Sequence, residues 1–164
     1  MKRIEVRRPG GPEALIVLEE PDPIPPAGKV RVRVSAAGVN YADVIVREGH
    51  YEAAKGLYPI TPGFEFAGTV DAVGDGVSAF KEGDRVFGFT RFGGYASVQL
   101  ADPSRLRAMP EGWDFTDCAA LPAVQFTAYQ GLFGVAKVSR GESILVHSAA
   151  GGVGTALLQQ ARIA

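Results

Sequence analysis

The chain has 164 residues, enough for one full domain and the start of a second. A hydrophobic share of 46% with 21% charged residues is ordinary for a globular protein, and no apolar run approaches the ~20 residues that span a bilayer. The formal net charge of −1, with basic residues dispersed, gives no electrostatic reason to expect nucleic acid or a membrane as partner. The single cysteine, Cys118, excludes an internal disulfide and any multi-cysteine zinc lobe. Residues 1–6 alternate like a strand and lack the apolar core of a signal peptide, so a cytoplasmic location is the default expectation.

Up to about Arg107 the pattern predicts short strands separated by Gly/Pro turns. Arg3–Arg7 and Ala14–Glu19 flank Pro9-Gly10-Gly11-Pro12, a hairpin-type connection. Pro21 to Gly28 contains four prolines and reads as an extended loop. Lys29–Val34 alternates polar and apolar, as a strand with one buried face does. Asn40 precedes Tyr41–Arg47, a short helix with a cap residue, an acid (Asp43) in its first turn and a base in its last. Phe66–Val73, Asp84–Phe89 and Gly94–Leu100 are three further strands. Many short strands with little helix predict a closed or partly closed β-barrel.

After Met109 the character changes. Thr116 is a candidate cap for a helical turn through Leu121, where the domain boundary is expected. Pro122 suits the first turn of a helix running to about Phe133. Ser143–His147 is an apolar run consistent with a buried parallel strand. It leads into Ser148-Ala149-Ala150-Gly151-Gly152-Val153-Gly154 and then a helix over Thr155–Arg162.

Strand, glycine turn and helix in that order form the first βα unit of a dinucleotide-binding fold. Such a turn brings bare backbone amides to a pyrophosphate, with the positive end of a helix behind them. Gly151 is expected to give the phosphates close approach, and Gly154 to let the helix pack on the strand. The spacing matches the dinucleotide fingerprint, except that Ala149 stands for its first glycine. A tight strand-to-helix turn with no ligand is the competing reading. The acidic or basic residue that would meet the ribose falls ~20 residues beyond the loop, past Ala164.

The motifs Ala37-Gly38-Val39-Asn40-Tyr41-Ala42-Asp43, Arg47-Glu48-Gly49-His50-Tyr51, Pro62-Gly63-Phe64-Glu65-Phe66-Ala67-Gly68, Gly83-Asp84-Arg85-Val86 and Gly93-Gly94-Tyr95-Ala96 carry a further signal. So do Leu121-Pro122, Phe126-Thr127-Ala128-Tyr129 and the Ser148–Gly154 loop. In this order and spacing the chain resembles the medium-chain dehydrogenase/reductase superfamily, in its zinc-free quinone oxidoreductase branch. The resemblance implies a GroES-like barrel over residues 1–121 and the start of a Rossmann domain over 122–164, with the active site in a cleft between them. It implies reduction of quinones or α,β-unsaturated carbonyls by NADPH, with NADH not excluded. Zinc-dependent relatives carry a cysteine where this chain has Asn40 and a histidine where it has Phe64, so no zinc is expected. A quinone or enone is already electrophilic; it needs hydrogen-bond donors and a proton source rather than a Lewis acid.

By the same resemblance Asn40 lies beside the nicotinamide; it can also serve as a helix cap. Tyr51 is similar to a pocket tyrosine that donates a hydrogen bond or proton, against the alternative of a half-buried aromatic. Thr127 corresponds to a threonine that contacts the carboxamide, though its hydroxyl can instead bond back to its own helix. Backbone amides of Ser148, Ala150, Gly152 and Val153 would hold the phosphates, with Gly151 and Gly154 completing the cofactor-binding turn. Asp43 and Glu65 are expected to be structural, His147 a packed histidine, His50 solvated, Gln125 and Tyr129 pocket or packing residues, and Cys118 a buried small hydrophobe.

Members of the branch continue for about as many residues again. Ser143–His147 therefore lacks a strand partner, and its apolar side chains, with Leu157 and Leu158, are expected to be exposed. This predicts weak nucleotide binding by the 164-residue chain alone and a homo-oligomer formed through the open edge. Two rivals remain: a non-catalytic GroES-like module, and a metal-free alcohol or enoyl reductase of the same superfamily.

Overall fold

Alternation at the N-terminus builds an antiparallel hairpin in the computed structural model, which describes residues 1–163. Strands β1 (Lys2–Val6) and β2 (Leu15–Glu19) pair with Lys2 opposite Glu19 and Val6 opposite Leu15. The proline-rich stretch that follows carries no strand or helix.

Five strands form the main sheet: β3 (Val30–Ala37), β4 (Glu65–Val73), β5 (Arg85–Phe89), β6 (Val98–Ala101) and β7 (Leu106–Ala108). They run antiparallel in the order β6-β3-β4-β5-β7. Val30 and Val32 turn inward at alternate positions and meet Phe66, Val70, Val86 and Leu106. Each such side chain contributes about 1.5–3 kcal/mol by leaving water. The unit is mostly sheet, as expected, but the sheet is not closed: among the described residues no ladder joins β6 to β7. The hairpin lies alongside through single bridges, Arg3 to Ala96 and Val6 to Ile60. The hairpin is met by residues 95–97, through the Ile4 amide to the Tyr95 carbonyl at 2.9 Å and the Ser97 amide to the Lys2 carbonyl at 2.7 Å, and β6 itself starts at Val98 rather than Gly94.

Helix α1 (Tyr41–Arg47) follows β3, with Asn40 at the cap position. Helix α2 (Phe115–Ala119) begins earlier than expected. Its cap is Asp114, not Thr116: the Asp114 carboxylate accepts the Asp117 amide at 2.8 Å and the Thr116 hydroxyl at 2.6 Å. Thr116 thus spends its own hydroxyl on the true cap.

The chain divides at Leu121 into two compact units. In the second, α3 (Pro122–Tyr129) starts on Pro122 and continues as a π-helical turn through Val135, a stretch that contains Gly131 and Gly134. Helix α4 (Gly152–Ile163) packs against α3, where Gln160 Nε2 donates to the Gln125 side-chain oxygen at 2.7 Å and to its carbonyl at 3.0 Å. The strand expected over Ser143–His147 is not formed. A parallel strand exists only as part of a ladder, and no neighbouring strand lies beside this segment among the described residues. Its Leu145 is 84% exposed.

Candidate functional site

In the first unit, polar residues gather where α1 meets the start of β4. Asp43 is buried and accepts three hydrogen bonds: from the Asn40 amide at 2.9 Å, the Gly63 amide at 3.0 Å and the Tyr95 hydroxyl at 2.8 Å. Its expected structural role is therefore clear in the geometry. Burial, reinforced by the Asp43 carboxylate, pushes the Tyr95 phenol well above its ordinary range, so it remains a donor. Nothing in the residue pattern around Gly93-Gly94-Tyr95 points to that role; only the Gly94 turn against Gly63 brings the phenol there.

Asn40 Nδ2 donates to Glu65 Oε1 at 2.7 Å, and Glu65 is only 2% exposed. Gly38 makes the room for this pair: a Cβ there would lie 2.3 Å from Glu65 Oε1 and 2.6 Å from the Ala119 carbonyl. Asn40 keeps its place at the head of α1, its side-chain oxygen turned to the Asp43 amide in a capping box, while its Nδ2 is committed to β4.

Tyr51 sits on an aromatic cluster beside this frame. Its ring lies 5.6 Å from Phe64 and 6.3 Å from Phe92, with Val46, Ala54 and Ile60 beneath. Phe64, at the position of a zinc-binding histidine in zinc-dependent relatives, is thus part of an apolar stack. An amide and a phenyl ring are not zinc ligands. Among the described residues no group of His, Cys, Asp and Glu is arranged to hold a metal. The residues present do not fit zinc at this place.

Cys118 is buried against Ala67 and Ala119, and burial raises its thiol above the ordinary value. It is a packing residue, as expected. His50 and Tyr41 are exposed.

The second unit carries the glycine turn. Ser148 adopts the left-handed region with φ of 54°, and its carbonyl accepts the Gly151 amide at 3.0 Å. A Cβ on Gly154 would come within 2.4 Å of that carbonyl and 2.7 Å of the Ala149 Cα. Gly154 therefore lets α4 start directly against the turn. Gly151 differs: its added Cβ would meet only the Ser148 carbonyl, at an ordinary 3.4 Å. The chain's own packing does not require glycine there. Ala150, Gly151, Gly152 and Val153 are exposed around the first turn of α4, whose amides have no partners inside the helix.

Thr127 lies on α3, and its hydroxyl donates to the Ala123 carbonyl at 2.7 Å. The bond back to its own helix is the one formed here, leaving its oxygen able to accept. His147 is exposed in the turn rather than packed, because the strand that would have buried it is not formed. Tyr129 is exposed and stacks on Phe133 at 5.0 Å; Gln125 is engaged with Gln160.

An open antiparallel sheet with its inserted helix defines a GroES-like unit, and a second unit follows in which a glycine turn opens a helix. The alcohol dehydrogenase GroES-like domain family matches residues 26–111, and the chain belongs to that family. Human quinone oxidoreductase is 46% identical over 99% of this chain and 50% of its own length. The solved structure of CurK enoyl reductase is similar with a TM-score of 0.93 at 34% identity, over 99% of this chain and 51% of that one. Escherichia coli quinone oxidoreductase, solved in complex with NADPH, is similar with a TM-score of 0.89 at 34% identity, over 99% and 50%. The chain spans about half the length of the curated relatives it matches. No helix among the described residues is long and apolar enough to cross a membrane.

Proposed function

We propose that the chain belongs to an NADPH-dependent reductase of quinones or α,β-unsaturated carbonyls that works without a metal. The observation that carries this reading is the Ser148–Gly154 turn. Gly154 is demanded by packing, whereas Gly151 is a glycine that the fold does not need, on an exposed face at a helix start. A bare backbone in that position suits close approach of a pyrophosphate. NADPH is the proposed nucleotide because the E. coli relative was solved with it.

The amides of Ala150, Gly152 and Val153 would hold the phosphates, Gly151, whose own amide is bonded to the Ser148 carbonyl, would give them close approach, and Ser148 and Gly154 would shape the turn. Asn40 and Thr127 would orient the nicotinamide end, each through an oxygen that can accept. When bound, reduced nicotinamide supplies a hydride. Tyr51 or water would deliver the accompanying proton to the substrate oxygen. Asn40, Phe64 and their surroundings offer hydrogen bonds and apolar contact instead of Lewis acidity. An acceptor that is already electrophilic suits such a site. Enoyl reduction is the second reading, favoured by the likeness to CurK enoyl reductase. A cytoplasmic setting and self-association complete the proposal.

The test is a titration of the ¹⁵N-labelled chain with NADPH. Saturable shifts in the Ala150–Gly154 amides are expected even at weak affinity. An unmoved turn at millimolar nucleotide would overturn the reading. Oxidation of NADPH coupled to a quinone, compared with an enone, then separates the two reactions.

A further inference from the structure

The two ends of an asparagine amide are alike in shape and opposite in character: one donates, the other accepts. A carboxylate accepts only. With Asn40 Nδ2 at 2.7 Å from Glu65 Oε1, a half-turn of the amide would set its carbonyl oxygen against a carboxylate that is 2% exposed. Two facing acceptors in a buried place repel and leave a donor unpaired. Only one of the two amide orientations is therefore compatible with Glu65.

Further bonds tie the two segments that carry the pair. The Asn40 backbone amide is fixed separately on Asp43 at 2.9 Å, and Asp43 also takes the Gly63 amide at 3.0 Å. Residues 40–43 and 63–65 are thus joined at two points. Gly38, where a Cβ would lie 2.3 Å from Glu65 Oε1, leaves the space that the carboxyl group occupies.

We propose that Glu65 is a positioning residue, which together with the α1 capping box locks Asn40 with the second lone pair of its carbonyl oxygen offered to the ligand. The proposal rests on the reading of Asn40 as a nucleotide contact. The ligand group it selects is a hydrogen-bond donor of the nicotinamide nucleoside, either a ribosyl hydroxyl or the carboxamide NH₂.

Four forms of the 164-residue chain test this: wild type, Glu65→Gln, Asn40→Asp, and the double variant. Affinity for NADPH is read from amide shifts, with thermal melting as a check on folding. Glu65→Gln places an NH₂ donor beside Asn40 and so relaxes the preference between the two amide orientations; affinity falls about tenfold. Asn40→Asp alone opposes two carboxylates and falls further. The double variant exchanges donor and acceptor, keeps the bond, and still offers an oxygen; its affinity returns to within about threefold of wild type. A purely structural Glu65 would move melting without this rescue of affinity. Unchanged affinity in Glu65→Gln, or a double variant no better than Asn40→Asp alone, overturns the proposal.

The 3-acetylpyridine analogue, which lacks the NH₂, assigns the donor. Retention of the Glu65→Gln penalty points to the ribose, and its disappearance to the carboxamide; both outcomes support an acceptor at Asn40. Should wild type bind no nucleotide at all, the functional reading fails, and the lock is judged on the ligand-free chain. There the Asn40 side-chain amide protons are expected to exchange slowly in wild type and rapidly in Glu65→Gln. Rapid exchange in wild type would refute the lock itself.

Discussion

The Tyr95 hydroxyl donates to the Asp43 carboxylate at 2.8 Å, tying the loop before β6 to the first turn of α1. The same carboxylate accepts two backbone amides, so its removal strands three donors in a buried place. Asp43→Ala is expected to cost about 3 kcal/mol in stability, against about 1 kcal/mol for Tyr95→Phe, which removes a single bond. Urea unfolding followed by fluorescence measures both. Equal losses for the two variants would show that the backbone amides contribute little.

Asp102 faces the Ser104 hydroxyl at 2.7 Å, the Ser104 amide at 3.0 Å and Lys29 at 3.1 Å. These bonds, the Ser104 hydroxyl foremost, hold its carboxyl down at about 2. Because the folded value lies below the unfolded one of about 3.9, its contribution is full above that pH. It is lost as pH falls toward the folded value, so Asp102 works against unfolding only above the acid range. Ser104→Ala is expected to raise the Asp102 midpoint more than Lys29→Ala does. Carboxyl ¹³C titration reads the midpoints directly. A wild-type midpoint in the ordinary carboxylate range would contradict the assignment.

The second unit leaves Leu145 84% exposed and Ile163 86% exposed, together with Ile144 and Leu158. An exposed apolar segment without a ladder partner can associate with another copy. Sedimentation velocity is expected to show a concentration-dependent shift to larger species, reduced by Leu145→Asp. A monomer at every concentration would remove the basis for self-association through this segment.

Local chemistry was the legible part of this chain. Asn40, Asp43 and Arg47 mark α1 from cap to last turn, and every one of those signals lies within a few residues of its effect. Thr127 carried both of its readings openly, since a bond to the residue four before it is also local. The pairing of Asn40 with Glu65 was not legible, because 25 positions separate them and the register of β4 brings them together. Asp114 and Thr116 both qualify as caps by type, and only the fold decides which one the Asp117 amide meets. Ser143–His147 failed for the opposite reason. Its apolar composition is a strand signal, but a parallel strand is defined by a neighbour that residue type does not supply.

The two glycines of the nucleotide turn make opposite predictions when each gains a methyl group. At Gly154 a Cβ would stand 2.4 Å from the Ser148 carbonyl and 2.7 Å from the Ala149 Cα, both backbone atoms that cannot step aside. Gly154→Ala must therefore shift the turn against α4, at about 1–3 kcal/mol. At Gly151 the nearest atom is 3.4 Å away, an ordinary contact. Gly151→Ala is expected to leave melting unchanged within about 0.5 kcal/mol. If a pyrophosphate approaches this backbone, that silent substitution should still weaken NADPH binding by about tenfold or more, since the methyl group occupies the space a phosphate oxygen needs. Melting curves and nucleotide titrations on the two variants separate fold from function: Gly154→Ala loses both, and Gly151→Ala loses binding alone. Undiminished binding by Gly151→Ala would mean that the bare backbone there serves no phosphate.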